Sequence, residues 1–158
     1  MVDGEGAEML RAGSGRFAKQ DARAWRLLAF SIGGRRFAAK TDDLAGVSEW
    51  KEPIPVVSRT PFVSGVVRLG QTVLPTFDLA AWLGLSPRGS EWLWLQAKHP
   101  LGTMAVCIDD EMPILQTLER TEVRPYSGQD IPAIGSFLSG ADEIPILALS
   151  QLGSALHE

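Results

Sequence analysis

An internal repeat constrains the fold of this chain more than any other feature of its amino-acid sequence. Residues of the first half recur in the second half, first at an offset of 67 positions and later at an offset of 70. The identical pairs include Trp25 and Trp92, Leu28 and Leu95, Ala38 and Ala105, Asp42 and Asp109, Asp43 and Asp110, Gly65 and Gly135, Gly70 and Gly140, Pro75 and Pro145, and Leu79 and Leu149. We therefore predict two similar half-barrels, at about residues 25–85 and 92–153. They should share an interface, because a unit of about 60 residues buries little surface alone.

Short alternating apolar runs indicate that the chain is mostly β. The run Leu28–Ile32 has the period of a half-buried strand, and Gly33-Gly34 after it is typical of a tight hairpin turn. Asp78 as N-cap and Gly84 at the end predict one short helix between them. About ten short strands with tight turns favour small barrels over a parallel α/β sheet, which needs a longer helix between strands.

The two ends of the chain bear on domain organisation and location. Residues 1–24 are rich in glycine and charge, and we interpret them as a mobile tail that precedes one domain at residues 25–158. This tail lacks the apolar core of a signal peptide. The longest stretch without a charged side chain, residues 144–157, is too short to span a bilayer. We expect a cytoplasmic protein that does not insert directly into a membrane.

The residues that usually carry catalysis or bind metals are scarce. The chain has one cysteine, Cys107, and two histidines, without the spacing of a metal site. Cys107 lies in a buried-strand pattern, and the triplet from Asp109 to Glu111 is interpreted as an exposed strand end. We therefore predict a binding module with no catalytic residue, cofactor or metal. An enzyme that uses Cys107 or Asp109 is the alternative, and the loss of an activity in Cys107→Ala would establish it.

The segments assembled so far resemble the CheW family, the scaffold proteins of bacterial chemotaxis arrays. The segments that carry the resemblance are Leu28–Ala38, Val47–Trp50, Pro61–Leu69, Val73–Leu79, Ala105–Asp109 and Ile144–Leu152. No single segment is specific, but their order and spacing together are. The resemblance implies a fold of two packed five-stranded SH3-like β-barrels with short helices, in agreement with the internal repeat.

The resemblance also implies a function and a set of interaction residues. A protein of this family would be a non-enzymatic adaptor that couples the cytoplasmic tip of a chemoreceptor to the regulatory domain of a CheA-type histidine kinase. It would be recruited to membrane-associated receptor arrays, with a receptor helix in an apolar groove between the barrels. The expected protein-interaction residues are Glu49, Trp50, Val66, Val67, Arg68, Gly70 and Asp109. Val66 and Val67 lie on opposite faces of their strand, and we expect them either in this groove or in the core.

The chain departs from the family at one interaction position, which suggests a divergent member. The family usually has Asn-Leu-Arg-Gly where this chain has Arg68-Leu69-Gly70-Gln71, so its arginine is replaced by Gly70. That arginine belongs to the family's interaction surface together with the counterpart of Glu49. Arg68 lies two residues earlier on the same strand, and therefore on the same face. Our hypothesis is that Arg68 supplies the cation that pairs with Glu49.

A second binding class stays open at the level of sequence. A small barrel of this size could bind a peptide or single-stranded nucleic acid outside chemotaxis. The net charge of −4, the pI of about 5.2 and the lack of an aromatic–basic strand pattern argue against nucleic acid. We expect no nucleic-acid partner.

Overall fold

Short strands and turns make up most of the structure, a computed structural model that describes residues 24–152. The strands are β1 (Ala24–Ile32), β2 (Arg35–Lys40), β3 (Leu44–Glu49), β4 (Ile54–Pro55), β5 (Val63–Leu69), β6 (Thr72–Phe77), β7 (Leu93–Ala97), β8 (Met104–Ile108), β9 (Ile114–Glu119), β10 (Ala133–Ser139) and β11 (Asp142–Leu147). One α-helix, α1 (Leu79–Leu83), follows β6, and 3₁₀ turns lie at Thr41–Asp43, Arg120–Glu122 and Leu149–Gln151.

These strands form two curled sheets. The first sheet has five strands in the order β9-β1-β2-β11-β10, and the second has six in the order β3-β7-β8-β6-β5-β4. Neighbouring strands are antiparallel except for the pairs β2–β11 and β6–β8. The predicted fold class is confirmed. The sixth strand, β4, is only two residues long, and its Pro55 is of a type that occurs in sheets mainly on edge strands.

The internal repeat is visible in the elements, but the repeats exchange their first hairpins. The strands β5 and β6 recur as β10 and β11 at an offset of 70 residues, and β1 and β2 correspond to β7 and β8. However, β1 and β2 lie in the first sheet beside β9, β10 and β11 of the second repeat. The half-barrels at 25–85 and 92–153 therefore do not coincide with the two sheets, and that division of the chain was wrong. The predicted tail lies outside the described residues except for Ala24, which belongs to β1.

Two glycines of the repeat are explained by bulges at equivalent places. The register of β5 and β6 shifts between Val63 and Gly65, and that of β10 and β11 shifts between Ala133 and Gly135. A Cβ on Gly65 would lie 2.6 Å from the carbonyl oxygen of Ile54, and one on Gly135 would lie 2.8 Å from Val123 Cγ1. Each half therefore needs a glycine where a neighbouring segment passes closely.

The largest hydrophobic cluster joins the two sheets. It includes Phe30 and Phe37 from the first sheet and Phe77, Leu95 and Val106 from the second. Smaller clusters fill each sheet's own concave side. We expected the two halves to share an interface because each is small, and this cluster provides it.

The helix α1 has the local signals that the sequence showed. Asp78 accepts a hydrogen bond from the Ala81 N–H, and Gly84 has the left-handed conformation, with φ of +71°. At the equivalent place in the second repeat, Ala148 cannot cap, and only a 3₁₀ turn forms. Among the described residues, no helix has the length and apolarity needed to cross a membrane.

Candidate functional site

Four of the seven expected interaction residues line one surface groove. Glu49 and Trp50 come from the end of β3, and Arg68 and Gly70 from the end of β5, on the other side of the curled second sheet. The open groove has a volume of about 450 Å³ and is also lined by Lys51 and Gln96. We call it the β3–β5 groove. The pair Glu49 and Trp50 lies about 20 positions before the pair Arg68 and Gly70 in sequence, and the curl of the sheet brings the two pairs together.

Trp50 is held in this groove by two other tryptophans. Its ring stacks on Trp94, with centroids 4.8 Å apart and planes within 11°, and meets Trp92 edge-on at 5.2 Å. The indole N–H of Trp94 donates to the carbonyl oxygen of Lys51 at 2.8 Å. Trp50 is 36% exposed, so a large apolar ring is both fixed and accessible.

The supporting role of Trp94 was missed at the level of sequence. The signal was present in the alternation of Trp92 and Trp94, which places both rings on one face of β7. Which strand would lie beside that face could not be inferred from the pattern, because β3 and β7 are more than 40 residues apart in sequence.

The hypothesis that Arg68 pairs with Glu49 was wrong. Both side chains are exposed and line the β3–β5 groove, but within residues 24–152 neither forms an ion pair. Gly70 begins the turn after β5 with φ of +64°, and a Cβ there would have no heavy atom within 4 Å. The position of the family's arginine is therefore an open space at the rim of the groove.

Val66 and Val67 have opposite surroundings. Val67 is 1% exposed and packs with Leu74, Trp94 and Ala105 inside the second sheet, so of the two expected places, groove or core, it occupies the core. Val66 is half-buried on the opposite face. Alternation along a strand requires such a difference, but it does not say which residue points inward.

Asp109 is a buried structural residue, so both the exposed strand end and the interaction role were wrong. It is 3% exposed, and its carboxylate accepts hydrogen bonds from three backbone N–H groups. The Gly33 and Arg88 N–H groups donate to Oδ1 and the Gly34 N–H donates to Oδ2, each at 2.8 Å. Because the end of β8 lies beside the first hairpin turn, Asp109 holds that turn and the loop before β7 together.

The structure gives Cys107 the environment of a core residue rather than of a nucleophile. Burial of the thiol, with a smaller contribution from the carboxylates of Asp78 and Asp109, raises the pKa of Cys107 to about 12. The thiol is therefore protonated at neutral pH, and the thiolate is the reactive form. Among the described residues, no group of three or more His, Cys, Asp or Glu could hold a metal ion.

A second groove lies between the edges of the two sheets, and we call it the intersheet groove. Leu44 and Val47 of β3 line one side, and Met112, just before β9, and Leu115 of β9 line the other. Met112 and Leu115 are 70% and 72% exposed, and the groove has a volume of about 430 Å³. Among the described residues, no charged residue lines it. We expected Val66 and Val67 in a groove or in the core, but neither lines this groove.

Comparisons with known proteins concern the family and the fold. Residues 26–101 match the family described as CheW-like domain. The fold is similar to that of the scaffolding protein TtCheW from Thermoanaerobacter tengcongensis, with a TM-score of 0.71 and 16% sequence identity. That similarity covers 81% of this chain and 86% of TtCheW. No curated protein matches the sequence. The predicted resemblance to the CheW family is therefore confirmed, by the family match over residues 26–101 and by the fold over most of the chain.

Proposed function

We propose that this protein is a non-enzymatic adaptor that couples the cytoplasmic tip of a chemoreceptor to the regulatory domain of a CheA-type histidine kinase. One observation carries the proposal: the edge strand β3 contributes to both grooves. Residues 44–47 line the intersheet groove, and residues 48–51 line the β3–β5 groove. Two partners can therefore contact one short strand without competing for the same side chains.

The β3–β5 groove has the character of a protein interface, and we assign it to the kinase. Trp50 is a rigid aromatic anchor, and such residues are enriched among those that dominate binding energy. Glu49, Lys51 and Arg68 form a polar rim around it. The resemblance implies that the regulatory domain of the kinase has the same fold as this chain, so that equivalent barrel faces would pair.

The intersheet groove is suited to an apolar helix, and we assign it to the receptor. Exposed Val47, Met112 and Leu115 present an apolar lining with no charged side chain. An amphipathic helix binds such a groove through side chains at intervals of three and four residues. A cytoplasmic adaptor bound there would be recruited to membrane-associated receptor arrays.

Binding measurements with the two partners separately test this assignment. Isothermal titration calorimetry of the full chain is performed with a purified kinase regulatory domain and with a receptor-tip fragment. Glu49→Lys is expected to weaken binding of the kinase domain and to leave the receptor fragment unaffected. Val47→Asp is expected to do the reverse, and each variant is the control for the other. If the wild-type chain binds neither partner, the proposal is refuted.

A further inference from the structure

The three sulfur-containing side chains within residues 24–152 have different surroundings. Met104 is 5% exposed and belongs to the largest hydrophobic cluster. Cys107 is half-buried, and the pKa of its thiol is raised to about 12, so the reactive thiolate is scarce at neutral pH. Met112 is 70% exposed. In the part of the chain that the structure describes, Met112 therefore carries the sulfur atom that an oxidant in solution reaches most easily.

Met112 lines two cavities of opposite character. One is the intersheet groove, which is lined by no charged residue among those described. The other is a small cavity of about 20 Å³ whose lining includes Ser31, Arg36 and Glu111. We call this small cavity the Arg36 notch. A cavity of this size has room for one group as large as a water molecule.

The Arg36 notch offers a hydrogen-bond donor. Arg36 pairs with Ser31 across β1 and β2, so both side chains lie on the same face of the first sheet. The Ser31 hydroxyl already donates to Glu111 at 3.2 Å. Arg36 is exposed and forms no ion pair with another described residue. Among the described side chains of the notch, the Arg36 guanidinium is therefore the donor that remains available to an oxygen atom.

Oxidation by hydrogen peroxide changes a methionine side chain in a defined way. A lone pair of the thioether sulfur attacks one peroxide oxygen, the O–O bond breaks, and methionine sulfoxide and water are formed. The sulfur loses the electron pair that the peroxide gains, and no bond of the chain is broken. The flexible apolar side chain becomes a polar one, and its new oxygen is a hydrogen-bond acceptor.

The reduced and the oxidised forms of Met112 are suited to different cavities. The thioether of the reduced form fits the apolar lining of the intersheet groove. A sulfoxide that is buried there under an apolar partner without a hydrogen bond carries a free-energy cost. The Arg36 notch supplies both the donor and the room for one oxygen atom. Oxidation therefore removes an apolar contact from the groove.

We propose that Met112 is an oxidation site that regulates binding in the intersheet groove. Hydrogen peroxide converts its thioether to the sulfoxide, and Arg36 binds the sulfoxide oxygen in the notch. The reduced protein binds an apolar helix in the groove, and the oxidised protein binds it more weakly. The inference rests on the proposed function, because it adds a regulation to the groove that is assigned to the receptor.

Mass spectrometry tests the oxidation site without any partner. The full chain is treated with hydrogen peroxide, the peroxide is removed with catalase, and sulfoxide is quantified in the peptides that contain Met104 and Met112. Met112 is expected to be oxidised at least about tenfold faster than Met104, because its sulfur is exposed and that of Met104 is buried. Equal rates at the two residues would overturn the assignment of the site.

Calorimetry with the receptor-tip fragment tests the regulation. The oxidised wild type is expected to bind about tenfold more weakly than the reduced wild type. Met112→Leu is the matched control, because leucine has a similar volume and no sulfur, and this variant keeps Met1 and Met9. It should bind like the reduced wild type both before and after peroxide treatment. Met112→Gln, which places a polar side chain at this position, should bind weakly without any oxidant.

Variants of Arg36 test the role of the notch. Thermal unfolding is measured for the reduced and the oxidised forms of each protein. The change in Tm on oxidation should be about 3 °C more favourable in the wild type than in Arg36→Ala, because the sulfoxide loses one hydrogen bond in the variant. Arg36→Lys retains a donor and should restore the behaviour of the wild type. Equal changes in the wild type and Arg36→Ala would show that Arg36 does not bind the sulfoxide.

The outcomes separate this inference from the proposed function. If the reduced and the oxidised wild type bind the receptor fragment equally well, Met112 does not regulate the groove, while the adaptor function stands. If peroxide weakens binding by Met112→Leu as much as binding by the wild type, the sensitive residue lies elsewhere and the inference is wrong. If the reduced wild type does not bind the fragment, the assignment of the groove to the receptor is refuted and its regulation with it, and the mass-spectrometric and thermal measurements then decide the oxidation site alone.

Discussion

Asp109 should contribute more to stability than any other carboxylate whose contacts are described above. Asp109→Ala leaves three backbone N–H groups without their acceptor, and hydrogen bonds to charged groups contribute about 1.5–3 kcal/mol each. Gly34 and Arg88 are exposed, so water can replace part of what is lost. We therefore expect the free energy of unfolding to fall by about 3–5 kcal/mol.

The conservative variant sharpens this expectation. In Asp109→Asn, the amide oxygen can still accept from Gly33 and Arg88, but the amide nitrogen faces the Gly34 N–H, and one bond is lost. The expected loss is about 1–2 kcal/mol, so stability should decrease in the order wild type, Asn, Ala.

Urea unfolding followed by tryptophan fluorescence measures this order. Asp110→Asn is the matched control, because Asp110 is exposed and, within residues 24–152, its carboxylate accepts one hydrogen bond, from the Ser90 N–H at 3.2 Å. It should change stability by less than about 1 kcal/mol. A loss below about 1 kcal/mol for Asp109→Ala would refute the view that this carboxylate organises the hairpin turn.

Three further predictions follow from other parts of the structure. Gly65→Ala should lower the free energy of unfolding by about 1–3 kcal/mol, because its Cβ would lie 2.6 Å from the Ile54 carbonyl oxygen; an unchanged urea midpoint would contradict this. Since burial raises the pKa of Cys107 to about 12, its thiol should react with a disulfide reagent far more slowly at pH 8 in the folded protein than in urea. Hydrogen bonds from Ser127 and then Ser136 lower the pKa of Glu143 below 4.5, so its contribution to stability is present above that pH and is lost as the pH falls through the lowered value. Glu143→Gln should reduce this loss in acid unfolding, and an identical pH profile would argue against the cluster.

Features that depend on neighbouring residues could be predicted from the sequence. The helix α1 begins at its cap Asp78 and ends at Gly84, as the pattern indicated. The hairpin at Gly33-Gly34 has φ of +63° and +83°, which only glycine adopts readily. Such features are determined by residues a few positions apart, so the amino-acid sequence alone is enough to predict them.

Features that depend on distant pairing could not be predicted. The two first hairpins have the same apolar pattern, so nothing local says that β1 pairs with β9 in the other repeat. The hydrogen-bond donors to Asp109 lie 21, 75 and 76 residues away along the chain. A charged residue after a strand therefore appeared exposed, and only the exchange of hairpins shows why it is buried.

The comparison of the two repeats separates the needs of the fold from those of binding. Where the halves are identical, the structure gives a backbone or core reason, such as the bulges at Gly65 and Gly135. Where they differ, both core and surface positions are involved: buried Val67 corresponds to buried Phe137, and exposed Val73 corresponds to Glu143. At the β3–β5 groove, the differing pairs include Trp50 and Arg120, and Arg68 and Leu138. A duplicated scaffold needs different surfaces to bind different partners. A difference between the repeats therefore bears on partner binding only where the side chain is exposed, as at Trp50 and Arg68 in the β3–β5 groove.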